Sequence, residues 1–198
     1  MTTQWKHIFL VTLFAHTLIP IFGQTTSPQA TGIDPVVLAK ANAGDAASQV
    51  LVGDSVAAGN RQARNAKQLA ADYQQAAEWY RKAAEKGDIG GETRLAALYR
   101  DGRGLARDMA QAAEWYRKAA EQGDATAQAT LGVLYSMGQG VPHDDVEAYY
   151  WLDLAASAKG PNQEKYAANR QMIGTHITAD ELASVEERAA KWLAEHPR

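Results

Sequence analysis

Apolar residues recur at Ala112, Trp115, Tyr116, Ala119 and Ala120, an i, i+3, i+4, i+7, i+8 spacing that predicts a helix buried along one stripe. Glu114 and Lys118 fall on the opposite side, in the favourable i,i+4 order, and Glu78 and Lys82 repeat the arrangement. The segment reads AAEWYRKAAEQGD over 112–124, AAEWYRKAAEKGD over 76–88 and, more loosely, AYYWLDLAASAKG over 148–160. Trp79, Trp115 and Trp151 are 36 residues apart each time, and a fixed period of that size predicts a repeat array. Their place on the apolar stripe puts all three indoles in the core, filling the space between layers of alanine.

An earlier helix completes each period. Asp124 caps a predicted helix running to about Met137, with Leu131, Leu134 and Tyr135 on one side; Asp88, Leu95, Leu98 and Tyr99 repeat it. The first copy is degenerate, with Val52, Gly53, Val56 and Gly59 at the matching places and seven extra residues before Asp72. Asp72 with Gln75, Asp108 with Gln111 and Asp144 with Glu147 have the capping-box spacing that opens a second helix. Gly87, Gly123 and Gly160 stand where those helices close.

Upstream, Asp34-Pro35 starts a short helix whose end, AKANAGDAASQ, echoes KAAEQGDATAQ at 118–128, as a partial repeat over 34–44. After Gly160 the period stops. Residues 161–173 suit a helix closed by Gly174, and Thr178 with Glu181 opens a last helix whose apolar face is Leu182, Val185, Ala189, Trp192 and Leu193. Helices of this kind seal the open end of a stack. The fold class is all-α: a short solenoid of helix-turn-helix repeats (about 45–87, 88–123 and 124–160, an array spanning 34–160) with terminal capping helices over 161–198.

Net charge over the 198 residues is −3, which gives no basic footprint for nucleic acid. The absence of cysteine removes disulfides, thiolate metal sites and cysteine nucleophiles together. Ile8–Phe22 is mostly apolar but too short for an ordinary span, and suits the core of a secretory signal over 1–23 cut between Gly23 and Gln24. The same stretch also suits an uncleaved anchor. The polar run that follows, 24–33, reads as a linker, and the mature chain is expected to be periplasmic or secreted, without stable membrane insertion.

Candidate chemistry is sparse. His143, His176 and His196 fall in a loop, a turn and the tail without metal-ligand spacing, so no metal or cofactor is expected. Glu78 and Glu114 are copied with the repeat, which marks them as structural rather than catalytic. Gly102-Arg103-Gly104 and Gly138-Gln139-Gly140 look like phosphate-loop fragments but lie between helices with no preceding strand, so they read as turns. No serine sits in a nucleophile elbow, and no catalytic residue is assigned.

The pattern L-G-x-x-Y, then G-x-G, then an Asp-capped A-x-x-W-Y-x-K-A-A-E-x-G-D resembles the Sel-one-like repeat, a relative of the tetratricopeptide repeat. The match is strong over 87–160, fair over 44–87 and partial over 34–44, with Ala96 replacing the expected glycine. The resemblance implies a right-handed superhelix serving as an adaptor, with no fixed chemistry. By the same resemblance, first helices line the concave side, whose outward positions are Thr126, Ala129, Val133 and Ser136, then Gly90, Thr93, Ala97 and Arg100, then Ala47, Val50, Asp54 and Ala57. Arg100 and Asp54 would be the only charges there. The expected function is a non-catalytic module binding a protein or peptide through Asp54, Thr93, Ala97, Arg100, Ala129, Val133 and Ser136. The alternatives are a cell-wall-associated hydrolase, for which converging acids or a nucleophile–base pair are missing, and a glycan-binding module, for which an exposed aromatic cluster is missing.

Overall fold

The computed structural model describes residues 32–59 and 65–197. The expected signal and most of the expected linker lie outside the described residues. Within them the chain forms nine helices and no strand: α1 (Pro35–Asn42), α2 (Ala46–Ala58), α3 (Ala66–Ala84), α4 (Ile89–Asp101), α5 (Met109–Glu121), α6 (Ala125–Met137), α7 (Asp145–Ser157), α8 (Gln163–Gly174) and α9 (Ala179–Glu195). Helices α2–α3, α4–α5 and α6–α7 pack as pairs, and each second helix packs on the first helix of the next pair. This is an all-α solenoid.

Carboxylate caps set most helix starts. Asp45, Asp88, Asp124 and Asp144 each accept from the backbone N–H three residues on, at 2.9, 2.8, 2.6 and 2.9 Å. Each cap contributes about 1 kcal/mol. At Asp108 and Asp144 the capping bond runs one way; the reciprocal box forms at Thr178 and Glu181. Asp72 does not start a helix as its spacing predicted. Asn65 caps α3 by accepting from Gln68 N at 2.9 Å, and Asp72 lies buried within the helix. Gly160 does not close α7 in a left-handed turn either, because the helix ends at Ser157 on an extended Ala158.

Three repeated contacts join the layers. Arg81 of α3 donates to the Tyr99 hydroxyl of α4 at 3.3 Å, and Arg117 of α5 to the Tyr135 hydroxyl of α6 at 2.8 Å. At the third copy of this position stands Asp153, which accepts instead from Arg170 of α8 at 2.5 Å. Gln49 and Gln128 donate through Nε2 to the carbonyls of Ala41 and Ala120, at 3.1 and 3.0 Å, tying a first helix to the helix before it. Glu92 holds that place in the middle repeat; as a carboxylate it cannot donate, it is buried, and it accepts from Gln122 Nε2 at 2.8 Å. The third contact is main chain on main chain: the loop after α4 lies at Gly104 against Tyr73 and Gln74 of α3, and the loop after α6 at Gly140 against Met109 and Ala110 of α5.

The core is alanine-rich, with Tyr80, Leu95, Tyr116, Leu131, Trp151 and Leu152 among its large members, in two adjoining clusters, one around α1–α4 and one from α4 to α9. The tryptophans do not behave alike. The buried arc of α5 runs through Ala112, Ala113, Tyr116, Ala119 and Ala120, so Trp115 sits at its margin and is half-buried, as is Trp79. The ammonium groups of Lys82 and Lys118 lie over these two rings, 4.3 and 3.8 Å from the ring centres. Lys118 is therefore no mere partner of Glu114 on an opposite face. Trp151 is buried as predicted; leucine, at Leu154, replaces the lysine, and α8 and α9 both pack on its helix.

Helix α9 turns back along α7 instead of extending the stack. Glu186 accepts from the Tyr149 hydroxyl at 3.0 Å, Arg188 donates to Glu147 at 2.7 Å and lies 3.6 Å from the Tyr150 ring centre, and Trp192 reaches the turn at Gly123. No helix among the described residues is long and apolar enough to cross a membrane.

Candidate concave groove

Helices α6 and α8 face each other across α7. Gly132 lets α6 approach α7 closely: a Cβ there would lie 2.8 Å from Leu152 Cγ and 2.9 Å from the Ala148 carbonyl oxygen. Helix α8 is fixed to α7 by the Arg170–Asp153 pair and by Gln163 Nε2 donating to the Ala156 carbonyl at 3.2 Å. Between them runs a groove of about 360 Å³. Its α6 wall presents Thr126, Ala129, Thr130 and Val133, and its α8 wall presents Asn162, Lys165, Tyr166 and Asn169. Each α8 residue stands thirty-six positions after an α6 residue, in the same order. The repeat register therefore continues for one helix past Gly160, where the apolar pattern predicted it to stop, and α8 lines the groove rather than only sealing an end.

Arg100 and Gln139 complete the lining. Arg100 Nε donates to Asp101 Oδ1 at 2.8 Å, and Arg103 approaches the other oxygen of Asp101 at 3.6 Å. The hydrogen bond from Arg100 holds the Asp101 carboxyl below the usual carboxylate range, so this cluster keeps two cations and one anion. Among the described residues the side chains of Gln139, Asn162, Lys165 and Asn169 have no hydrogen-bond or ion-pair partner. Ala129 and Tyr166 are nearly covered and form the floor with Leu134.

Of the seven expected binding residues, Arg100, Ala129 and Val133 line this groove and four do not. Asp54 accepts from the Tyr80 hydroxyl at 2.8 Å and from Arg94 Nε at 2.6 Å, so its charge is spent inside the array. Burial and that bond to Asp54 push the Tyr80 phenol far above its ordinary value. Arg94, which is not among the expected concave positions, is a second cation on α4. The Thr93 hydroxyl is buried, Ala97 is half-buried, and Ser136 Oγ donates to the Val133 carbonyl of its own helix at 2.9 Å. The sequence reading missed Asn162, Lys165 and Asn169; the signal was the 36-residue offset itself, carried on past the last apolar match.

His143 and His176, read separately from the sequence, meet at one carboxylate. Their exposed ring nitrogens approach the two oxygens of the half-buried Asp145 at 3.4 and 3.5 Å. Among the described residues no group of three or more histidines and carboxylates is arranged to hold a metal ion.

A family model for the Sel1 repeat matches residues 65–88, 91–124 and 125–159. A Sel1 repeat protein from Oxalobacter formigenes, solved by crystallography, is 35% identical with a TM-score of 0.56, over 66% of this chain and 94% of that one. The chain belongs to the Sel1 repeat family. Sel1 repeats are generally protein–protein interaction modules, and the fold is typically an interaction scaffold. A second crystal structure, c5321, a protective antigen of uropathogenic Escherichia coli strains with an SLR fold, is 32% identical with a TM-score of 0.68. The alignment covers 81% of this chain but only 32% of that one, so this Sel1 protein spans about a third of that neighbour's length. No curated protein matches the chain. The Sel1 match stops at residue 159, just before the helix that supplies the polar wall.

Proposed function

We propose that this chain is a non-catalytic module that binds a protein or peptide partner through the groove between α6 and α8. One observation carries the reading: a groove with an apolar floor and a wall of polar side chains that have no partner among the described residues. In the array the repeated polar side chains Gln49, Gln128, Arg81 and Arg117 donate to a neighbouring helix, whereas these face the groove. We propose further that it works after export. The apolar Ile8–Phe22 stretch supports that, and the antigenic character of c5321 is in keeping with it.

The test uses the full chain as bait against an envelope fraction, followed by affinity measurement on the captured protein. Interface energy concentrates in a few central residues, arginine prominent among them, so Arg100→Ala should weaken binding by about 1–3 kcal/mol with an unchanged melting curve. Arg103→Ala, outside the lining, should matter less. If Arg103→Ala weakens binding and Arg100→Ala does not, recognition runs along the loop edge and the groove reading is wrong. Export is checked by N-terminal sequencing of osmotic-shock fluid, where the chain should begin near Gln24; intact Met1 in the membrane pellet would overturn it.

A further inference from the structure

We infer that the groove's occupant is an extended peptide segment carrying acidic side chains. The inference rests on the groove reading above and adds the chemistry of the partner. Three observations lead to it.

The first is charge. The chain as a whole carries −3, yet the groove lining contains Arg100 and Lys165 and no aspartate or glutamate. Asp101, just outside, faces two arginines and leaves that cluster with one net positive charge. Lys165 has no carboxylate partner among the described residues. Opposite charge on an incoming segment would pair with both cations and steer encounter.

The second is hydrogen-bonding character. Asn162, Asn169 and Gln139 each offer a carbonyl and an NH₂ with no partner among the described residues. An α-helical ligand has its own backbone groups satisfied and could pair with these amides only through side chains. An extended chain presents free N–H and C=O groups along its length, which side-chain amides match.

The third is size. Asn162 and Asn169 are seven residues apart along α8, a rise of about 10 Å, which is about three residues of extended chain. The small residues of the facing wall, Thr126, Ala129 and Val133, leave the width for such a chain, and the volume of about 360 Å³ lies at the lower end of ordinary ligand clefts.

The experiment is a random array of acetylated and amidated heptapeptides probed with the full chain, its Lys165→Glu variant and its Val133→Arg variant. A parallel set carries free C-termini. Wild type should select peptides enriched in aspartate and glutamate. Their binding should fall about tenfold in Lys165→Glu and with added salt, and vanish in Val133→Arg, while all three proteins melt alike. Selection of uncharged peptides that Val133→Arg blocks would overturn the acidic partner and leave the groove standing. Binding confined to free C-termini would overturn the side-chain source. Binding indifferent to both substitutions, or none at all, would remove the groove reading together with this one.

Discussion

Gly140→Ala should be among the most damaging single-methyl additions to this protein, and the structure says by how much. Gly140 has φ +73°, and a Cβ built on it would lie 2.0 Å from the Met109 carbonyl oxygen and 2.3 Å from its carbon. The left-handed backbone alone costs a non-glycine residue about 1–2 kcal/mol. The clash adds to it, because the atoms met belong to the first turn of α5 and cannot rotate away as a side chain would. Over-packing of this sort costs about 1–3 kcal/mol, so the sum is about 2–5 kcal/mol. Gly87→Ala is the control. Gly87 has φ +77° but nothing within 4 Å of its built Cβ, so only the backbone cost of about 1–2 kcal/mol applies. Urea unfolding followed by far-ultraviolet circular dichroism gives both numbers, and the slope should be the same for both variants, since neither changes the surface exposed on unfolding. Equal losses would refute the reasoning, for they would mean that the loop does not rest on the preceding helix.

The tryptophans give a second comparison: Trp151→Ala should cost about 3–5 kcal/mol as a buried aromatic, and Trp115→Ala only about 1–3, because it sits at the margin under Lys118; the same urea melts decide, and an inverted order would reverse the assignment. Glu92→Gln should stabilise by about 1 kcal/mol near neutral pH by putting a donor in reach of the Ala84 carbonyl, as Gln49 and Gln128 do for theirs. Burial raises the Glu92 carboxyl in the folded state, so the penalty it carries is absent below the ordinary glutamate range and grows as pH rises through the raised value. The advantage of the variant should therefore be larger at pH 7 than at pH 4, and a gain independent of pH would contradict a buried charge as its cause.

Where a helix begins was legible whenever an aspartate preceded an apolar run, because a carboxylate at that place satisfies donors that nothing else would. Asp124 and Asp88 mark α6 and α4 to the residue. Asp72 misled because AKQLAADY is strongly helix-forming on both sides of it, and a capping residue does not interrupt a helix already under way. Trp115 and Tyr116 both fall on the apolar stripe, a helical step of one residue apart, and only the neighbouring helices decide which of them is central. The groove was half legible. Its α6 wall followed from the repeat register, while α8 was lost because Asn162, Lys165 and Asn169 replaced the small residues by which the register is recognised.

The return of α9 along α7 changes how the molecule opens. A linear stack yields from either end one layer at a time, because each layer holds only its neighbours. Here the C-terminal end is closed on itself: Glu186 and Arg188 hold Tyr149 and Glu147, and Trp192 reaches back to Gly123, so releasing any of α6 to α9 loosens the others. Among the described residues no helix turns back along the array at the N-terminal end, where α1 packs on α2 and Lys86 Nζ donates to the Gly44 carbonyl between them. The expected result in hydrogen exchange is therefore stronger protection for α6 to α9 than for α1 and α2. The groove lies in the former region. A segment entering it meets walls already in place, and little of its affinity is lost to ordering the protein that receives it.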